Sequence, residues 1–206
     1  EDDGSTALSP GITMQRLNGR VDIPDNFSIE LEGEIAFGAS SAAFIKLKIV
    51  GVGDQIYCDK LIWLIETASK IRAKRVVLPL LESSSIHNQI DRNKFVECCS
   101  VLEDPLKEFD VQLSLETDLS PDLQLQLIDT IDQTKINIAY DIGNSAALGF
   151  DSNYELVTFG DHVSHVHIKD CLVAGKTVPL GMGDADFKSV FNFLHRVSYR
   201  GSFTLQ

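Results

Sequence analysis

The sequence predicts a parallel α/β barrel, and three observations predict it. Short apolar runs alternate with segments of helical periodicity along most of the chain, which makes the connections crossovers and the sheet parallel. Three of those runs, VQLSLE, INIAYD and VSHVHIKD, carry at their ends a residue able to bind a divalent metal: Glu116, Asp141 and His167. These positions are 25 and then 26 residues apart, the length of one strand, one helix and two turns, and a barrel of this kind keeps its chemistry at the C-terminal ends of its strands.

The elements follow in order. GITMQRL at 11–17 reads as a first strand, Pro24 to Asn26 as a turn, 29–42 as a helix and AFIKLKIV at 43–50 as a strand. From Asp59 onward, Leu61, Ile62, Leu64, Ile65, Ala68 and Ile71 recur at helical spacing. RVVLPLL at 75–81 is an apolar strand of the kind covered on both faces. A helix over 93–109 and a strand over 111–117 come next. The following helix runs to Ile131, with Ser120 as N-cap and Pro121 at its first position. A strand at 135–144, a short helix at 154–160, a strand at 162–170, a helix at 184–198 and a strand at 201–206 complete the series.

That makes seven strands against the eight of a closed barrel, and 206 residues against about 250. The shortfall falls between Val50 and Asp59, where a helix and a strand are compressed into one turn, and after Gln206, where a last helix would cover the sheet. Either the barrel is a minimal or open one, or segments are missing from the chain, and missing segments are the expected cause. The expectation is one domain over 1–206, with 1–10 disordered or irregular.

Composition bounds the function. With 44% hydrophobic residues the chain can bury a substantial core. Thirty acidic against 18 basic residues give a formal charge of −12, which argues against nucleic acid or an anionic membrane as partner. KIRAKR at 70–75 is the one dense basic cluster and reads as the solvated end of a helix. No apolar run reaches the roughly 18 residues of a membrane span, and the first ten residues are acidic and polar, so a cytoplasmic location is expected. Cys58, Cys98, Cys99 and Cys171 lack CxxC spacing and the density of a disulfide scaffold; Cys98 and Cys99 read as structural helix residues, while Cys171 lies beside the HIKD run.

Glu116, Asp141 and His167 offer two hard oxygen ligands and an imidazole, a set that suits Mn2+, Mg2+, Co2+ or Zn2+. An ion there would polarise a carbonyl or hydroxyl and stabilise an enediolate. The next strand end holds Gln206, with an amide oxygen. Taken singly, Glu116 reads equally as a helix cap, Asp141 as a turn former and His167 as a core histidine; three such accidents would not share strand-end position and period. His165 faces the same side of its strand as His167, one layer deeper. Lys169 and Asp170 lead into a loop with Gly175, Gly181 and Gly183, a composition suited to backbone that approaches a ligand closely. It lacks the Walker spacing of a nucleotide loop.

The segments YDIGNSAALGFD, VSHVHIKD, TVPLGMGDADFKSVFNFLHRVSYRGSFTLQ and LSLETD resemble the xylose isomerase-like TIM barrels, specifically the sugar phosphate isomerase/epimerase group, and GITMQRLNGR is similar to that group's first-strand MQGRL. The resemblance implies an incomplete TIM (β/α)8-type barrel and a divalent metal held by Glu, Asp, His and Glu, with the two Glu exchanging protons on opposite faces of the substrate. Glu116, Asp141 and His167 match; the last Glu is Gln206 here, which can ligate through oxygen but cannot act as a base at neutral pH. The expected function is metal-dependent isomerisation or epimerisation of a sugar or sugar phosphate, with Glu116 as base, Lys169 contacting the enediolate, and one-base transfer favoured. Expected substrate contacts are Gln15, Asn144, His165, Lys169, Asp170 and Gly181. A homodimer is compatible with this. The alternatives are a dehydratase, an abasic-site endonuclease, or a non-catalytic sugar-binding relative.

Overall fold

The computed structural model describes residues 6–9, 12–23, 27–37, 55–132 and 134–206. The chain divides into two compact units, Glu1–Leu113 and Ser114–Gln206.

In the first unit, β1 (Thr6–Ser9), β2 (Ile12–Ile23) and β3 (Phe27–Phe37) form an antiparallel sheet in that order. This corrects two expectations: residues 6–9 form a strand where irregular chain was expected, and 27–37 is a strand where 29–42 was expected to be helical. The reason for the second lies in the sequence. Phe27, Ile29, Leu31, Ile35 and Phe37 alternate with Ser28, Glu30, Glu32 and Glu34, a period of two and not of 3.6. The expected strand at 43–50, and 38–42, lie outside the described residues.

Helix α1 (Gln55–Lys70) packs on α2 (Gln89–Glu108), and β4 (Arg75–Leu80) lies between them in sequence. Leu61, Leu64, Ile65 and Ala68 of α1 and Phe95, Cys98, Cys99, Leu102 and Leu106 of α2 are buried, each large side chain contributing roughly 1.5–3 kcal/mol. The Asn88 side chain caps α2 by accepting from the Ile90 and Asp91 backbone N–H groups. Cys58 and Cys98 form a disulfide across 40 residues, and the neighbouring Cys99 is buried and outside it. The basic cluster follows the end of α1, where Arg72 is exposed at φ 62°.

The boundary between the units falls inside β5 (Gln112–Thr117). After it come α3 (Pro121–Ile131), β6 (Ile136–Asp141), α4 (Ile142–Leu148), α5 (Ser152–Phe159), β7 (Val163–Ile168), the small ribbon β8 (Asp170–Cys171) and β9 (Thr177–Val178), α6 (Phe187–Arg196) and β10 (Ser202–Leu205). The strand order is β10-β7-β6-β5, with β7 parallel to both β6 and β10. Pro121 opens α3 behind Ser120 as expected, although the Ser120 side chain makes no capping hydrogen bond. Helix α4 and the β8–β9 ribbon are additions to the sequence reading. Leu127, Ile128, Ile131, Leu156, Phe159, Val190, Phe193 and Leu194 supply the helical side of the core. Alternation along β5 separates Leu115 from Ser114 and Glu116, so the polar residues share a face and Glu116 ends it. No helix among the described residues is long and apolar enough to cross a membrane.

Candidate metal centre

Strand register assembles the centre. Asp141 is paired with His167, and His167 with Thr204. Pairing continues one step past β10, where the Gln206 N–H donates to the Ile168 carbonyl at 3.0 Å. Gln206 is therefore two residues beyond Thr204 and on the same face.

Glu116, Asp141 and His167 are all buried, and one ligand atom of each lies within 4.8 Å of the others. His167 Nδ1 is 3.5 Å from Glu116 Oε2 and 3.6 Å from Asp141 Oδ2. These are long for hydrogen bonds. They are close to the separation of two ligands that sit at a tetrahedral angle about 2.1 Å from one ion, roughly 3.4 Å. Asp141 Oδ2 is buried and accepts no hydrogen bond among the described residues, an arrangement that is costly unless something else satisfies it. The donor set and this oxygen fit a small divalent cation. Gln206 Nε2 lies 3.3 Å from His167 Nδ1, and a half-turn of the amide would bring its oxygen to the same place.

Asn144, in the first turn of α4, ties the cluster together. Its side-chain amide donates to Glu116 Oε1 at 2.7 Å, its backbone N–H donates to Asp141 Oδ1 at 2.8 Å, and its Oδ1 accepts from Lys169 Nζ at 2.7 Å. Asp141 is thus the cap of α4 through one oxygen while presenting the other to His167. The Lys169 ammonium is also 3.7 Å from Asp141 Oδ2. Burial pushes the Asp141 carboxyl up, but the His167 ring, the Lys169 charge and the Asn144 N–H outweigh it and hold the group below the usual carboxylate range. Gly143 is required by close approach, since a Cβ there would stand 2.9 Å from the Lys169 carbonyl carbon and oxygen.

Beneath the cluster, His165 is fully buried, with Nδ1 2.8 Å from Ser202 Oγ and Nε2 3.2 Å from Thr204 Oγ1. Its ring stands edge-on to His167, centroids 4.8 Å apart. Both nitrogens are engaged, so His165 buttresses His167. Asp170 turns into the following loop, where its carboxylate accepts from the Gly181, Gly183 and Ala185 N–H groups at 2.8, 2.9 and 3.2 Å. Asp170 and Gly181, expected as substrate contacts, are joined to each other; Gly181 sits at φ 81°, where glycine is favoured. Gln15 lies in β2, and its side chain is outside what the structure describes. Cys171 is buried, with its Sγ 3.7 Å from Thr177 Oγ1.

A cavity of about 20 Å3, room for one water-sized group, is walled by residues that include Glu116, Gln124, Tyr140, Asn144, Ser145 and Glu155. Glu155 is buried, and its Oε2 accepts from the Tyr140 hydroxyl at 2.9 Å and from the Ser145 hydroxyl. Sequence reasoning missed this trio, and also Ser202 and Thr204. For the last two, the period-two signal back from Gln206 would have found them.

Residues 54–206 match the family described as xylose isomerase-like TIM barrel. An Escherichia coli K12 protein, provisionally named an L-ribulose-5-phosphate 3-epimerase, is 38% identical over 73 residues, 32% of this chain and 26% of its own length. The match therefore spans about a quarter of that curated relative. An L-ribulose 3-epimerase structure superposes with TM-score 0.66 at 15% identity, over 80% of this chain and 61% of that one. The IOLI protein with a bound zinc atom gives 0.61 at 16% identity, over 71% and 58%. At such identities the structural likeness speaks to the fold, and it is the α/β barrel read from the sequence.

Proposed function

The chain belongs to the xylose isomerase-like TIM-barrel family, and on that premise we propose that it is a metal-dependent isomerase or epimerase of a sugar or sugar phosphate. The single observation that carries the metal is Asp141 Oδ2, buried without a hydrogen bond among the described residues and facing the His167 ring beside Glu116. The names of the relatives, two ribulose epimerases and a zinc-binding protein, support the same reading.

A divalent ion held by Glu116, Asp141, His167 and the Gln206 amide would supply positive charge where substrate oxygens gain negative charge. The remaining steps fall to side chains. Glu116 takes the proton alpha to the substrate carbonyl, its carboxylate oriented by Asn144. Lys169, fixed by Asn144 near Asp141, donates to the oxygen of the resulting enediolate. Gln206 holds no exchangeable base, so the proton returns from the Glu116 side. That favours aldose–ketose interconversion, or return to the same face, over inversion by two bases. Gln206 also motivates a second reading, a sugar-binding relative that has lost turnover.

The test is exchange. Mn2+-loaded protein incubated in D2O with ketoses and ketose phosphates is expected to place deuterium alpha to the carbonyl of one of them, and to stop doing so after chelation. Exchange that survives chelation would overturn the metal reading; sugar binding without exchange would favour the second one.

A further inference from the structure

We propose that Glu155 is a positioning residue for the metal centre: by accepting the Tyr140 and Ser145 hydroxyls together, it locks the end of β6 and the start of α4 and so sets where Asp141 and Asn144 stand. The inference rests on the metal reading above and adds a residue that touches neither metal nor substrate.

The geometry is a matter of neighbours. Tyr140 immediately precedes Asp141, and Ser145 immediately follows Asn144. Both hydroxyls converge on one oxygen, Glu155 Oε2, from α5. Helix α4 has only seven residues, too few to hold itself by its own hydrogen bonds. Its N-terminus is pinned by Asp141 and its far end by Ala147, whose carbonyl accepts from the Ala174 N–H at 2.8 Å. Between those points the side chains of Asn144 and Ser145 are its polar attachments, and Ser145 is held by the Glu155 carboxylate. A movement of α4 by about 1 Å would break the 2.7 Å bond from Asn144 to Glu116.

Chemistry agrees with the geometry. Burial pushes the Glu155 carboxyl up, and the Ser145 and Tyr140 hydroxyls only partly offset this. An apolar side chain would occupy the same space at lower cost. What a carboxylate adds there is two directed acceptor contacts.

The experiment is calorimetric titration of Mn2+ into the parent protein and the variants E155L, E155Q and Y140F, each well below its melting temperature. E155L is expected to bind Mn2+ about tenfold more weakly, the low end for losing a group that orients a ligand, and E155Q, whose amide oxygen can still accept both hydroxyls, to stay within about threefold. A purely structural role would lower melting temperature without moving the affinity. E155L as tight as the parent, or E155Q as weak as E155L, would overturn the proposal. If E155L does not fold, Y140F decides: weaker binding supports it and unchanged binding overturns it. A parent that takes up no Mn2+ brings down the metal reading and this one with it, whereas a tight parent with indifferent variants brings down this one alone.

Discussion

The Asn144 side-chain amide and Glu116 Oε1 are joined at 2.7 Å, and the same amide group accepts from Lys169 through its oxygen. One side chain thereby orients the candidate base and the candidate cation, and turns Glu116 Oε2 toward His167. Asn144→Asp keeps the volume but sets a carboxylate against Glu116. Two carboxylates so close do not both ionise at neutral pH, so turnover is expected to fall about 100-fold, within the usual range for a lost general base. Steady-state kinetics on the substrate found by deuterium exchange would check this; turnover within a factor of about three would mean that Glu116 is not the base.

Metal removal is predicted to cost stability because only the folded chain brings β5, β6 and β7 ends together. Mn2+ at 100 times its dissociation constant should add about 2.7 kcal/mol, a rise in Tm of about 5–10 °C for a chain of this length. Asp141→Asn replaces one oxygen of the ligand carboxylate by an amide nitrogen and should abolish most of that rise. Thermal melts with and without Mn2+ settle the matter, and an equal rise in parent and variant would remove Asp141 from the ligand set.

Much of this is legible in the sequence. The strands at 75–80 and 136–141 show as apolar runs, because strands covered on both faces carry few polar residues, whereas those at 112–117, 163–168 and 202–205 show as alternations of apolar and polar side chains. The cluster of Glu116, Asp141 and His167 shows because equal spacing and strand-end position coincide. Helix α4 does not show: seven residues are under two helical turns, and Asp-Ile-Gly-Asn reads as a turn. The strand at 27–37 shows only at period two, because its Glu-rich alternation also fits a solvated helix face at a glance. Asp170 sits next to Lys169, and nothing local distinguishes a carboxylate reserved for loop N–H groups from one aimed at a ligand. Glu155 is a single acid in a short apolar helix, and its partners come from two other elements. The pairing of Cys58 with Cys98 crosses 40 residues, which spacing cannot reveal.

Asp170 gives a stability prediction with a defined pH window. Burial pushes its carboxyl up, but the N–H groups of Gly183, Ala185, Gly181 and Met182 hold it below the usual value in the folded chain. A folded value below the unfolded one means that the contribution is complete above the unfolded pKa, about 3.9, and is lost as pH falls through the depressed folded value. Asp170→Asn should cost about 1–2 kcal/mol near neutral pH. Urea melts should show the gap between parent and variant narrowing as pH drops below about 4; a gap that stays constant into strong acid would show that the charge is irrelevant.

Gly143→Ala tests the close approach of α4 and the β7 end. The added Cβ would stand 2.9 Å from the Lys169 carbonyl carbon and oxygen and 2.8 Å from its Cγ. The side chain can yield, but the backbone must move, and overpacking of that kind costs roughly 1–3 kcal/mol. Because Lys169 Nζ holds Asn144, Mn2+ affinity should weaken in the same variant. Destabilisation with unchanged affinity would show that the shift stops at the backbone.

Gln206→Glu separates the two roles of the fourth strand end. A carboxylate 3.3 Å from His167 Nδ1 would be the third around one imidazole. Without metal, the three repel one another, and each is driven toward its protonated form; the metal-free protein should melt at a lower temperature than the parent. With metal, the added charge faces the ion, and Mn2+ affinity should rise about tenfold, or about 1.4 kcal/mol. A glutamate there is also a base on the side of the substrate opposite Glu116 in the family's arrangement, so deuterium should now enter with inversion at the exchanging carbon. Paired melts, titration and the stereochemistry of exchange read these effects independently. If affinity is unchanged, Gln206 does not reach the ion; if affinity rises and stereochemistry does not change, Gln206 is a ligand site alone and one-base transfer is built into the pocket by other groups.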